Sequence, residues 1–179
     1  MTEPERGPEA GAAGTRRRAR ELAFRVLFEA ENGGADLRDV LEHALQENAR
    51  LGLNRSRGRA EGEDGHGEPL DPEGVSFARH LATAFDEHRY EVDQTLQRVI
   101  EGWTFNQMSR TDVAVLRLAA VEIMFDRTPA PPVIEVAVRI AKKYGGEESG
   151  RFVNGVLARL LRHLDENAAG GQNPDPAGS

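Results

Sequence analysis

Four arginines, Arg16, Arg17, Arg18 and Arg20, crowd a short stretch of a chain whose net charge is −7. They lie in GTRRRARELAFRVLFEAEN, residues 14–32, which has the apolar spacing of a helix and offers Thr15 as its N-cap. A helix start carries partial positive charge, so each cation placed there costs about 0.3–1 kcal/mol at low salt. A bound phosphate removes that repulsion, because free backbone N–H groups and guanidinium groups together clamp an anion. In an acidic protein, the arrangement points to nucleic-acid backbone.

Two further sets carry chemistry. At 100° per residue, Ala19, Leu22, Ala23, Val26, Leu27 and Ala30 fill one side of this helix. Phe24 and Phe28 fall on the other side, among Arg17, Arg20, Glu21 and Arg25. Either another segment of the chain covers them, or they form a surface for a partner protein or a stacking platform for unpaired bases. Near the C-terminus, GGEESGRFVNGVLARLL repeats the pattern, with Arg151 in the first turn and Phe152 at the rim of an apolar arc near Arg159. Lys142 and Lys143 just before it suit the end of a helix and say little by themselves. Gly150 and Gly155 weaken helix propensity by about 1 kcal/mol each, which implies close approach of a neighbouring helix. Asn154 is either a buried polar anchor or faces water.

No convergent constellation supports catalysis. His43, His66, His80, His88 and His163 fall at no metal-ligand spacing such as the helical i, i+4 pair. Cysteine is absent, which removes disulfides and thiolate zinc sites and fits a reducing compartment. The acidic piece GEDGHGE lacks the alternating ligands of a calcium loop. No glycine-rich phosphate loop and no activated serine motif occur. A non-enzymatic protein with no cofactor and no metal is expected.

The elements that position these residues are helical throughout. Asp36 can cap a second helix that ends near Gly52, and Asp71 with Pro72 starts a third bearing Ala78, Leu81, Ala82 and Phe85. A fourth, or a continuation of the third, holds Val92, Leu96, Val99 and Ile100, with Trp103 after it. Ser109 and Asp112 resemble a capping box for a fifth helix, from Arg110 to about Asp126, apolar almost all round and so central. Pro132 opens a sixth that ends at Gly145–Gly146, and the last spans about 147–167. No stretch alternates long enough for a strand. The expectation is an all-α fold of about seven helices in one domain, residues 15–167. Residues 1–14, 54–69 and 168–179, rich in Gly, Pro and charge, are expected to be a disordered tail, a flexible insertion and a second disordered tail. The N-terminus has no apolar signal-peptide core and no segment is apolar enough to span a bilayer, so no membrane role and a cytoplasmic location are expected.

RRRARELAFRVLFEAE, DVAVLRLAAVEIMF and AKKYGGEESGRFVNGVL together resemble the bacterial transcription antitermination factor family NusB. Residues 15–32 and 90–165 carry the likeness, with GRFVNGVL after AKKYG its most specific part and Trp103 in a place where many members have tryptophan. The resemblance implies two packed helical subdomains that pair with NusE, also a small-subunit ribosomal protein. The pair would bind single-stranded boxA-type RNA and help RNA polymerase, in its antitermination complex, to read through terminators in ribosomal RNA operons. It leaves room for a homodimer of the free protein. By the same resemblance Arg16, Arg17, Arg18, Arg20 and Phe152 belong to the RNA surface, and Phe28 and Asp112 to the partner side; the reading of the residues adds Arg151 to the first and Phe24 to the second. At 134–137 the chain reads IEVA where many members read INEA, so Glu135 and Val136 depart from a polar–acidic pair at the cost of an ion pair or cap. Two other readings stand beside this one: a NusB-like domain of the kind found in ribosomal RNA cytosine methyltransferases, and a helical interaction module that never touches RNA.

Overall fold

The helical periodicity is realised as six α-helices and one 3-10 turn, with no strand, among residues 8–56 and 68–170, the part of the chain that the computed structural model describes. In chain order these are α1 Pro8–Gly33, α2 Leu37–Ser56, α3 Pro72–Val99, a 3-10 turn Phe105–Gln107, α4 Arg110–Phe125, α5 Ala130–Gly145 and α6 Glu147–Gly170. The all-α expectation holds. The third and fourth expected helices are one, α3, because no Gly or Pro interrupts the stretch between Phe85 and Val92.

Several boundaries follow from side chains that satisfy free backbone N–H groups. The Asp36 Oδ1 accepts from the Arg38 N–H at 2.8 Å and starts α2. The Asp71 Oδ1 accepts from the Gly74 N–H at 2.8 Å and starts α3. The Ser109 hydroxyl accepts from the Asp112 N–H at 3.0 Å and starts α4. At the other ends, Gly34 (φ 63°) follows α1 and Gly146 (φ 91°) caps α5, backbone angles that glycine adopts without strain.

Three ends differ from expectation. Helix α1 begins at Pro8, so its first turns come from PEAGAAG, where proline suits the first helical position and alanine the interior. α2 continues past Gly52 to Ser56, and α6 runs to Gly170. Residues 1–7, 57–67 and 171–179 of the expected tails and insertion lie outside the described residues.

The chain divides into two compact units, Met1–His88 and Arg89–Ser179. In the first, α1 packs on α2, and Ala23, Leu27, Leu41, Leu45, Leu81 and Phe85 are among its buried residues. In the second, α4 packs against α5 and α6, which also pack on each other. Nearly every residue of α4 from Asp112 to Glu122 is buried, as expected for a central helix. Arg117 interrupts that run without cost to the core. Its Nε and Nη2 donate to both carboxylate oxygens of Asp93 at 2.8 Å each, and its guanidinium stacks 5.1 Å from the centre of the Phe105 ring. Val136 is buried and Glu135 pairs with Arg139 at 3.1 Å, so the departure at 134–137 keeps an ion pair of its own.

Candidate nucleic-acid interface

The arginine run is not at a helix start. Because α1 begins at Pro8, Arg16 to Arg20 occupy its third and fourth turns, and the dipole penalty expected for them does not apply. Thr15 is not an N-cap either. It is 4% exposed and its hydroxyl donates to the Asp71 Oδ2 at 3.0 Å, tying α1 to the first turn of α3. A Cβ added at Gly74 would lie 2.9 Å from the Thr15 Cγ2, so the two helices meet closely at this point. The Asp71 carboxyl titrates below the usual aspartate range, first because of the Gly74 N–H and then through Thr15 and the nearby Arg18.

The arginines are organised by this junction. Arg16 and Arg20, one turn apart, place their guanidinium carbons 4.9 and 5.3 Å from the centre of the Phe77 ring on α3. The Arg16 Nε lies 3.8 Å from the Glu73 Oε1. Arg18 donates from Nη1 to the Glu68 Oε2 at 2.6 Å, while its buried Nε has no hydrogen-bond partner among the described residues. Arg17 is exposed. A basic surface is therefore present on α1, held by an aromatic ring and flanked by two carboxylates, Glu68 hydrogen-bonded to Arg18 and Glu73 near Arg16, that compete with an anionic ligand. Phe77, Glu68 and Glu73 were not foreseen, and Asp71 was foreseen only as a helix cap. Phe77 lies off the Ala78–Leu81–Ala82–Phe85 stripe, the same signal that singled out Phe24 and Phe28.

The two phenylalanines of α1 separate. Phe24 is 2% exposed and belongs to the core, which removes it as a docking residue. Phe28 is half-buried, with its ring centroid 5.9 Å from that of Phe24. The face opposite the main stripe is thus partly buried too.

In the second unit, α6 opens with Glu147 and Glu148, which suit the helix dipole, and Arg151 follows them into the second turn. The expected misplacement of Arg151 is absent, although its side chain is exposed and Phe152 beside it is half-buried. Asn154 faces water. Gly155 is not a packing glycine, since a Cβ there would meet nothing within 4 Å. The close approach occurs at Gly150, where a Cβ would lie 2.5–3.3 Å from the Lys142 stem of α5. Arg159 donates to the Val99 carbonyl at 3.4 Å. Asp112, 8% exposed in the first turn of α4, has a buried Oδ1 with no hydrogen-bond partner among the described residues.

Among the described residues no group of acidic and histidine side chains could hold a metal ion, and no helix is long and apolar enough to cross a membrane.

The sequence pattern of the NusB family matches residues 17–162. The transcription antitermination protein NusB of Thermus thermophilus is 52% identical over 149 residues, covering 83% of this chain and 91% of that protein. The NusB of Deinococcus deserti is 49% identical, covering 84% of this chain and 83% of its own. Among solved structures, T. maritima NusB superposes with a TM-score of 0.65 at 32% identity, covering 82% of this chain and 90% of that one. A chain from a crystal structure of antitermination factors NusB and NusE in complex with double-stranded RNA shares the fold, with a TM-score of 0.64 at 21% identity, over 83% of this chain and 97% of its own.

Proposed function

This chain belongs to the NusB family, and on that premise we propose that it is a non-enzymatic, cytoplasmic RNA-binding factor that pairs with NusE in transcription antitermination. The observation that carries the reading is 52% identity, across 91% of its length, to a protein named for transcription antitermination. Identity of 49–52% to proteins named for transcription antitermination favours this over the NusB-like domain of a methyltransferase. The basic surface of α1 supports RNA binding over a purely protein-interaction module. Arg16, Arg17, Arg18 and Arg20 hold phosphates in this account, with Arg151 and Phe152 of α6 contributing a further RNA contact. A half-buried aromatic ring beside exposed arginine suits contact with a base and its phosphate.

NusE takes Phe28 of the first unit and Asp112 of the second. Asp112 is assigned to this side by the family resemblance; its Oδ1 is buried, so a partner would meet the outer edge of the residue. Phe28, half-buried against Phe24, offers an apolar anchor that needs little ordering on binding.

The test is titration of single-stranded boxA-type RNA into the full chain, with and without NusE, at two salt concentrations. Affinity that falls steeply with salt and rises when NusE is present supports the reading. Failure to bind RNA under either condition refutes it.

A further inference from the structure

Two arginines share one aromatic ring at the junction of α1 and α3, an arrangement that the sequence pattern alone did not reveal. Phe77 is half-buried on α3, flanked by the buried Ala78 and one turn before the buried Leu81. The helix that carries it is fixed to α1 a turn and a half earlier, where Asp71 accepts from both Thr15 and the Gly74 N–H. The ring is therefore planted, and the guanidinium groups of Arg16 and Arg20 rest 4.9 and 5.3 Å from its centre. The Glu73 oxygen nearest Arg16, at 3.8 Å, is beyond hydrogen-bond reach and does not fix that guanidinium by itself.

An unrestrained arginine loses much rotamer freedom when it grips a phosphate. A guanidinium already stacked on a ring has lost part of that freedom, and its N–H donors lie in its own plane, directed away from the ring face. We propose that Phe77 is a positioning residue for RNA binding: its ring face holds Arg16 and Arg20 in the orientation in which they meet the phosphate backbone. This inference rests on the RNA-binding reading of the α1 surface. Phe77 itself touches the arginines and carries no contact to RNA in this account.

The test varies the electron density of the ring while keeping its shape. Phe77 is replaced in the full chain by 4-fluoro-, 3,5-difluoro- and 3,4,5-trifluorophenylalanine, and binding of a single-stranded RNA oligonucleotide is followed by fluorescence anisotropy across a salt series. Affinity should fall stepwise with fluorination, by about three- to tenfold over the series, the weight of one to two exposed cation–π contacts. The salt slope should stay constant, because no charge is removed. Phe77→Tyr should retain parental affinity and Phe77→Leu should lose as much as the trifluoro variant.

A flat affinity across the fluorinated series, with the parent binding normally, overturns the role of Phe77 and leaves the RNA reading standing. An affinity loss fully accounted for by the unfolded fraction at the assay temperature also overturns it, because the ring would then be acting on stability alone. No RNA binding by the parent overturns the RNA reading and this inference with it.

Discussion

Arg18 and Glu68 form a contact that competes with a phosphate bound at Arg18, which makes Glu68→Gln an informative perturbation. The Arg18 Nη1 donates to the Glu68 Oε2 at 2.6 Å, with the arginine side chain 30% and the glutamate 67% exposed. Ion pairs of this exposure contribute about 0.2–1 kcal/mol, since water and salt screen them. Releasing Arg18 should therefore tighten RNA binding by about 1.4- to 5-fold. Glutamine keeps the size and a hydrogen-bonding group, so the loss is confined to charge. Glu73→Gln should have a smaller effect, because Glu73 lies 3.8 Å from Arg16. Fluorescence anisotropy with boxA-type RNA reads the change, and a double-mutant cycle isolates it: in an Arg18→Ala background, Glu68→Gln should do almost nothing. Weaker RNA binding by Glu68→Gln, or an equal gain with and without Arg18, would refute the competition between carboxylate and phosphate.

Phe24→Ala should destabilise the fold by about 3–5 kcal/mol in chemical denaturation, as a buried aromatic does. Phe28→Ala should cost far less stability while weakening NusE binding by about thirtyfold, the loss of a roughly 2 kcal/mol anchor; isothermal titration calorimetry checks the second half. Gly155→Ala should stabilise by about 0.5–1 kcal/mol, because the new methyl meets nothing and alanine is the better helix former. Asp71, whose pKa is lowered by the Gly74 N–H and Thr15, contributes stability that is present at neutral pH and lost as pH falls through its depressed value. Asp71→Asn should accordingly lower the melting temperature at neutral pH, and the gap to the parent should close in acid.

Much of the fold was legible because local chemistry and global packing agree. Asp36, Asp71 and Ser109 cap their helices as their positions imply, and the apolar run from Val113 to Val121 is buried as its lack of a polar face implies. The start of α1 was not legible. Gly11, Gly14 and Thr15 read as punctuation, yet Thr15 is an interior residue whose hydroxyl finds Asp71, a partner 56 positions away. That one misplacement turned the arginines into an apparent dipole anomaly; their concentration in an acidic chain is the feature that remains. Phe24 was misjudged for a related reason. A single apolar stripe assumes a helix buried on one side, whereas α1 buries Phe24 as well as the stripe. Gly155 shows the limit of propensity: a poor helix former invites a packing reason, and here a Cβ would meet open space. The off-stripe place of Phe77 is a local signal, but its meeting with two arginines, like the pairing of Arg117 with Asp93, depends on helix packing and has no signature in local spacing.

The central claim, antitermination through RNA and NusE, is tested most directly by transcription in vitro across a terminator placed downstream of a boxA element. Adding this chain together with NusE and the other components of the antitermination complex should raise read-through. A variant with Arg16, Arg17, Arg18 and Arg20 replaced by alanine, folded by circular dichroism, should not. Equal read-through with the parent, with the arginine variant and with no added chain would contradict the account.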